Sequence, residues 1–379
     1  MAATRTASTS TRGGGASLRA ASLGGTRRDL GLDLARAYAV LSLLIPFGYW
    51  LQLIPVSWKS WVPQLIVPAE PLFAAILGAA AWRYARTANF PQVFAGTIVR
   101  SLALLVLGLL IVQGANYLPQ PGVTIPSQGF SYSLPFDLLI HLAALTLLTL
   151  PVVYLPLWAL ALLTLVLSPF IGWSHTVLLD SATAADHWIS VEFPFLASQG
   201  LNLNHGAQLI WIMCLGILLV RLYDTLGPKV AIPVILVVLA LAAYRSFNPH
   251  AVLGVLDAPH IQLILNMAAT LYFWSEIARL LPAQAESFAP LARMGQMSLS
   301  ASIVQCALIT YAGPTVKAFI VGEHYVATGG LETAVYWSAF LLIGAFISVG
   351  FCAFWDRTAR SVAGRGPLEA VLALISGRG

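Results

Sequence analysis

Charge is what this chain has least of. Asp, Glu, Lys and Arg make up 9% of its 379 residues, against 58% hydrophobic ones, where a soluble domain typically carries about 25% charged residues. A deficit spread along so long a chain does not fit inside one aqueous core. Together with a mean hydropathy of +0.81, it predicts an all-α, polytopic membrane protein, because a backbone in hydrocarbon must satisfy its own hydrogen bonds.

Cysteine is scarce too. Cys214, Cys306 and Cys352 each lie in an apolar run, at spacings that form neither a disulfide framework nor a zinc site. No metal-ligand spacing, phosphate loop, Gly-x-Ser-x-Gly elbow or dinucleotide fingerprint is present, so no resident metal or cofactor is expected. No internal repeat is visible, which weighs against an inverted-repeat transporter. The net charge of +5 does not point to nucleic acid, because the arginines sort by membrane side.

What is present is a series of apolar windows of about 20 residues. Ten lie near 34–54, 62–82, 97–116, 134–152, 154–174, 205–222, 229–246, 259–281, 296–320 and 333–355, the fourth and fifth joined by a tight hairpin between Pro151 and Pro156. Residues 1–26 have the composition of a disordered cytoplasmic tail, residues 27–356 form one transmembrane domain, and residues 357–379 are a basic cytoplasmic tail. With both termini inside, only Lys59, Arg245 and Lys317 fall outside, and the other 17 of the 20 basic residues lie inside. That is the positive-inside pattern of a multi-pass protein of the cell membrane, most simply a bacterial inner membrane.

The outer loops 117–133 and 175–204 are aromatic and neutral or mildly acidic. Two readings stand: ring stacking against a carbohydrate, or the ordinary aromatic belt of the interface.

An ionisable side chain inside a span costs on the order of 3 kcal/mol, which makes it a candidate for function. Asp137 and His141 sit i, i+4 on one face of the fourth span, a general-base arrangement in which the carboxylate orients the imidazole. The bland alternative is an interfacial Asp and a hydrogen-bonded core His. Glu70 stands between Pro68 and Pro71, which should break the second span on its outer half. His205, His260 and Asn266 are further outer-half candidates for substrate contact, His260 and Asn266 lying on different faces of the eighth span. Glu276–Arg279 and Asp33–Arg36 read as i, i+3 pairs near the inner side.

Arg28-Asp29-Leu30-Gly31-Leu32-Asp33-Leu34-Ala35-Arg36-Ala37, followed by an apolar span, resembles the opening of the YeiB-type bacterial membrane proteins. Leu72-Phe73-Ala74-Ala75-Ile76-Leu77-Gly78, Leu291-Ala292-Arg293-Met294-Gly295-Gln296-Met297-Ser298-Leu299 and Arg365-Gly366-Pro367-Leu368-Glu369 resemble later stretches of the same family. That family is distantly similar to the heparan-α-glucosaminide N-acetyltransferases. The resemblance implies a ten-span acyltransferase-like fold that moves an acetyl group from cytoplasmic acetyl-CoA to a sugar on the far side. Arg36 and Arg100, on the inner side, are then the candidate contacts for acyl-CoA. The chain departs from those enzymes at the outer end of span one. Where they carry a histidine it reads Leu44-Ile45-Pro46-Phe47-Gly48-Tyr49-Trp50, and Ala370 replaces a tail tryptophan.

Three functions follow. In an acyltransferase for an envelope glycan or lipid, His141 is the base, Asp137 orients it and Glu70 positions the acceptor. In a proton-coupled transporter or flippase, Glu70 and His141 carry the proton. In a non-catalytic scaffold, the polar groups only lock helices together. Membrane lipids are the expected surroundings in each case.

Overall fold

The computed structural model describes residues 29–54, 69–117, 134–176, 203–248, 259–280, 288–322, 325–359 and 365–375. All regular structure among them is α-helical. Among the described residues, four helices carry stretches long and apolar enough to cross a membrane: Phe90–Leu110, Gln208–Leu226, Ser298–Val321 and Leu331–Thr358. Shorter apolar helices run over Leu139–Val153, Leu157–Ser168 and Pro228–Tyr244. Large apolar side chains such as Leu110, Trp158, Leu165, Phe319 and Phe346 stand exposed on the outside of the bundle, where water would penalise them and lipid does not. The chain is a helical membrane protein.

Helix α1 (Leu30–Ser42) starts where Asp29 accepts hydrogen bonds from the amides of Gly31 (3.0 Å) and Leu32 (3.3 Å), satisfying donors that a helix start otherwise leaves open. It is interrupted at Leu43 and resumes as α2 (Leu44–Trp50). Pro46 has no N–H to give to the Ser42 carbonyl, which places the interruption there.

Helix α3 (Ala69–Thr87) opens with Glu70 and Pro71 in its first turn, where a missing proline N–H costs nothing. Pro71 thus sits at the start of the described helix, and the break expected around Pro68 falls partly outside the described residues. Residues 55–68 lie outside the described residues.

Helix α4 (Phe90–Tyr117) begins seven residues before the expected span. Pro91 presets its first turn, and the Gln92 side chain accepts from the Asn89 amide (3.3 Å) as half of a capping box. Arg100 is thereby moved from the mouth of the span to ten residues inside the helix.

Helices α5 (Leu134–Val153) and α6 (Leu157–Thr176) are joined by the expected short turn at 154–156, but they diverge from it instead of packing as a hairpin, and each packs on the central helix Leu203–Leu226. The rest are α7 (Leu203–Leu226), α8 (Pro228–Phe247), α9 (Pro259–Leu280), α10 (Ala289–Gln296), α11 (Ser298–Val321), α12 (Leu331–Thr358) and α13 (Pro367–Ile375).

Helix α7 is central, with 61% of its apolar stretch buried against 17–22% for the other three long helices. It packs on α3, α5, α6, α8 and α9. The Trp211 indole donates to the Thr164 carbonyl on α6 (2.9 Å), and the Tyr272 hydroxyl of α9 donates to the Leu219 carbonyl (3.1 Å). Helices α3 and α7 touch backbone to backbone: a Cβ on Gly216 would run into the Ala75 carbonyl, and one on Gly78 into that of Met213. Small residues at such a contact are how membrane helices gain packing without a hydrophobic drive between them. Helices α4 and α5 run antiparallel, the Ser101 hydroxyl donating to the Ala143 carbonyl (2.7 Å).

Gly216→Val should push α3 from α7 and cost on the order of 3 kcal/mol, read as a lower thermal midpoint of the detergent-solubilised protein. An unchanged midpoint would contradict this packing.

Candidate functional site

A buried imidazole and a half-buried carboxylate from different helices meet in the interior. Glu70 projects from the first turn of α3 and His141 from α5, with Glu70 Oε1 3.1 Å from His141 Nδ1. The side chains are 13% and 9% exposed. An isolated charge in such surroundings costs several kcal/mol, and pairing is what makes it tolerable. With the carboxylate ionised, Nδ1 carries the hydrogen and donates it. The ring is then held in one tautomer, and Nε2 bears the lone pair.

The carboxylate that meets His141 is thus Glu70, on another helix and 71 residues away. Asp137 is one helical turn from His141 on α5, as its spacing requires, but its side chain lies outside the described residues. His205 and His260 fall in the first turns of α7 and α9, and their side chains also lie outside the described residues. Asn266 is half-buried on α9, a helix packed on α1, α3, α7 and α8. Among the described residues, no group of three His, Cys, Asp or Glu side chains is placed to hold a metal ion.

The opposite arrangement, charge gathered at one end, holds elsewhere. Asp29 at the start of α1 pairs with Arg83 on α3. Arg83 also reaches Asp224 on α7 (3.3 Å), as do Arg86 (2.9 Å) and the Trp82 indole (3.4 Å). Arg221 stacks over the Trp82 ring, 3.7 Å from its centroid, and donates to the Val153 (2.7 Å) and Leu155 (2.5 Å) carbonyls at the α5–α6 turn. Those carbonyls include ones that the end of α5 leaves without a helical partner. Tyr223 bonds Glu276 (3.0 Å), which Arg279 grips from one turn away (2.5 and 2.8 Å).

The same end continues around the bundle. Asp33, 4% exposed, holds Arg36 (2.7 Å) and accepts from Gln296 of α10 (3.3 Å). Arg293 of α10 lies 3.6 Å from Asp356 at the end of α12. At Gly295 the two backbones close up so far that a Cβ would overlap the Asp33 carbonyl. Glu369 of α13 accepts from the amides of Leu299 (2.7 Å) and Ser300 (3.2 Å) and from the Ser300 hydroxyl, so it caps α11 from 70 residues away. The Trp355 indole donates to the Arg365 carbonyl (2.8 Å). Three of the stretches that carry the family resemblance are therefore neighbours in this polar collar, and their visible task is to join helix ends.

Of the two arginines expected to meet acyl-CoA, Arg36 is in the collar and Arg100 is not. Arg100 lies on α4 and lines a cleft between α3, α4 and α5. Compared with known proteins, the chain matches no family model and no curated sequence.

Nothing in local spacing announced the Glu70–His141 contact, since helical periodicity reports the face of one helix and not its lateral neighbour. The capping role of Glu369 was equally hidden: the sequence marks it only as the end of the stretch Arg365–Glu369 that carries the resemblance, within what reads as a basic tail.

Glu369→Ala removes both backbone caps of α11 and should cost about 2 kcal/mol, with Glu369→Gln retaining part of it. Equal thermal midpoints for wild type and Glu369→Ala would show that the cap is not needed.

Proposed function

We propose that this chain is a ten-span protein of the bacterial cell membrane, with both termini and the collar on the cytoplasmic side. We further propose that it is an acyltransferase acting on a glycan or lipid acceptor from the outer half. The arginines of the collar support the orientation, since basic residues favour the cytoplasmic side. The motifs shared with YeiB-type proteins support the fold.

The observation that carries the chemistry is the buried contact between Glu70 and His141. His141 precedes Val153, the collar end of α5, by twelve residues, which is about 18 Å of helix. The pair thus lies well away from the cytoplasmic end. In the reaction, His141 Nε2 takes the proton of an acceptor hydroxyl while the oxygen attacks the thioester carbonyl of acyl-CoA. The C–S bond breaks, the acyl group becomes an ester, and the proton returns to the leaving CoA thiolate. Glu70 holds the imidazole and stabilises the imidazolium that forms. Asp137, one turn towards the outside, is a second carboxylate for the acceptor, and the outer-half residues His205, His260 and Asn266 are its further contacts. Arg36 offers a charge to the donor's phosphates at the cytoplasmic end.

The same pair also suits proton-coupled transport, because a carboxylate and an imidazole shared between two membrane helices hold one exchangeable proton.

The test uses purified protein in lipid with radiolabelled acetyl-CoA and envelope extract. Wild type should transfer label, His141→Ala should lose about a hundredfold or more, and Glu70→Gln should fall in between. No transfer by wild type, or equal transfer by His141→Ala, would sink the acyltransferase reading. Solute uptake that follows the proton gradient and fails in Glu70→Gln would replace it with transport.

A further inference from the structure

Arg100 is the only charged residue of α4 between Phe90 and Tyr117, and it is exposed on a helix that also exposes Phe94, Leu102, Leu105, Val106 and Leu110. It stands in a cleft, enclosing ≈ 40 Å³, where α3, α4 and α5 run side by side. Each helix contributes one stripe of its surface, and Ala80, Tyr84, Gly96, Arg100, Thr146 and Thr149 set its character. The small residues make the depression. The two threonine hydroxyls donate within their own helix, to the Leu142 (2.6 Å) and Thr146 (2.7 Å) carbonyls. Charge in the cleft therefore comes from Arg100.

The depth of the cleft is defined by neighbouring contacts. The Phe90 and Tyr154 rings, 5.4 Å apart, mark the collar end, and Arg100 is ten residues or about 15 Å along α4 from it. The Ser101–Ala143 bond fixes α4 on α5 beside it. A guanidinium at that depth extends back towards the headgroup level, and the cleft gives it a channel that ends at Val93 and Val153 beside the collar. On either side stand exposed Phe94, Leu102, Leu147 and Leu148, which suit acyl chains and no soluble ligand.

We propose that this cleft binds an anionic phospholipid of the collar-side leaflet, its phosphate held by Arg100 and its chains lying on the apolar flanks. The cleft encloses space for roughly three waters, so it receives a phosphate and not a whole headgroup. The lipid bridges α3 and α5, the two helices that present Glu70 and His141, and so contributes to their spacing.

The full-length protein is reconstituted in nanodiscs of phosphatidylcholine doped with phosphatidylglycerol, and retained lipids are counted by native mass spectrometry after mild delipidation. Wild type should retain phosphatidylglycerol about fivefold over phosphatidylcholine, the preference that roughly one basic contact supplies. Arg100→Gln should bring the ratio near one, and Arg100→Lys should keep most of the preference, which separates loss of charge from loss of fold. Equal retention of both lipids by wild type overturns the proposal. So does an undiminished preference in folded Arg100→Gln. Displacement of the lipid by millimolar inorganic phosphate or CoA would also overturn it, by assigning Arg100 to a soluble phosphate.

Discussion

The constraint that organises this molecule is the cost of charge in hydrocarbon. A chain with so few ionisable side chains still needs them to orient it and join its helix ends, and it meets the constraint by gathering them. Asp29, Arg83, Asp224 and Arg86 tie α1, α3 and α7 together. Asp33, Gln296, Arg293 and Asp356 tie α1 to α10 and α12. Such partly exposed pairs each stabilise little alone. Their value lies in satisfying polar groups at the bundle's end, which leaves the apolar lengths of the helices joined by neutral hydrogen bonds such as Trp211–Thr164 and Ser101–Ala143. Close backbone contacts at Gly216 and Gly295 do the rest of the joining.

Against that arrangement Glu70 and His141 stand apart, as Arg100 does on α4. The pair lies about 18 Å of helix from the collar, takes no part in its network, and is largely withdrawn from solvent where ionisable groups are expensive. A pair in that position is kept because it moves or holds a proton, or because it locks α3 to α5. Acyl transfer uses the first property and a scaffold only the second. The helix that in the acetyltransferases presents a histidine reads Pro46-Phe47 here, and proline there interrupts the helix. Under the proposed acyl transfer, the acid–base work would fall on α5.

Much of the fold was legible from residue order alone. Apolar runs mark the helices, the prolines mark the turn between α5 and α6, and the i, i+3 pairs Asp33–Arg36 and Glu276–Arg279 lie as their spacing demands. Sorting the arginines by side identified most of the residues that the collar collects. The beginning of α4 was misread because hydropathy sees its first turn as too polar, while Asn89, Pro91 and Gln92 start the helix for local reasons. Lateral contacts were beyond reach. Spacing placed Asp137 beside His141 within one helix, but only packing brings Glu70 to it from another, and only packing brings Asp224 to three donors of α3.

The account stands on Glu70 and His141 acting as one unit, and a double-mutant cycle on stability in detergent tests that most directly. Each single change, Glu70→Ala or His141→Ala, should cost about 3 kcal/mol because it strands its partner in the interior. The double variant should cost little more than either, giving a coupling of at least about 1.5 kcal/mol. Costs that simply add would contradict the pairing and, with it, the candidate site.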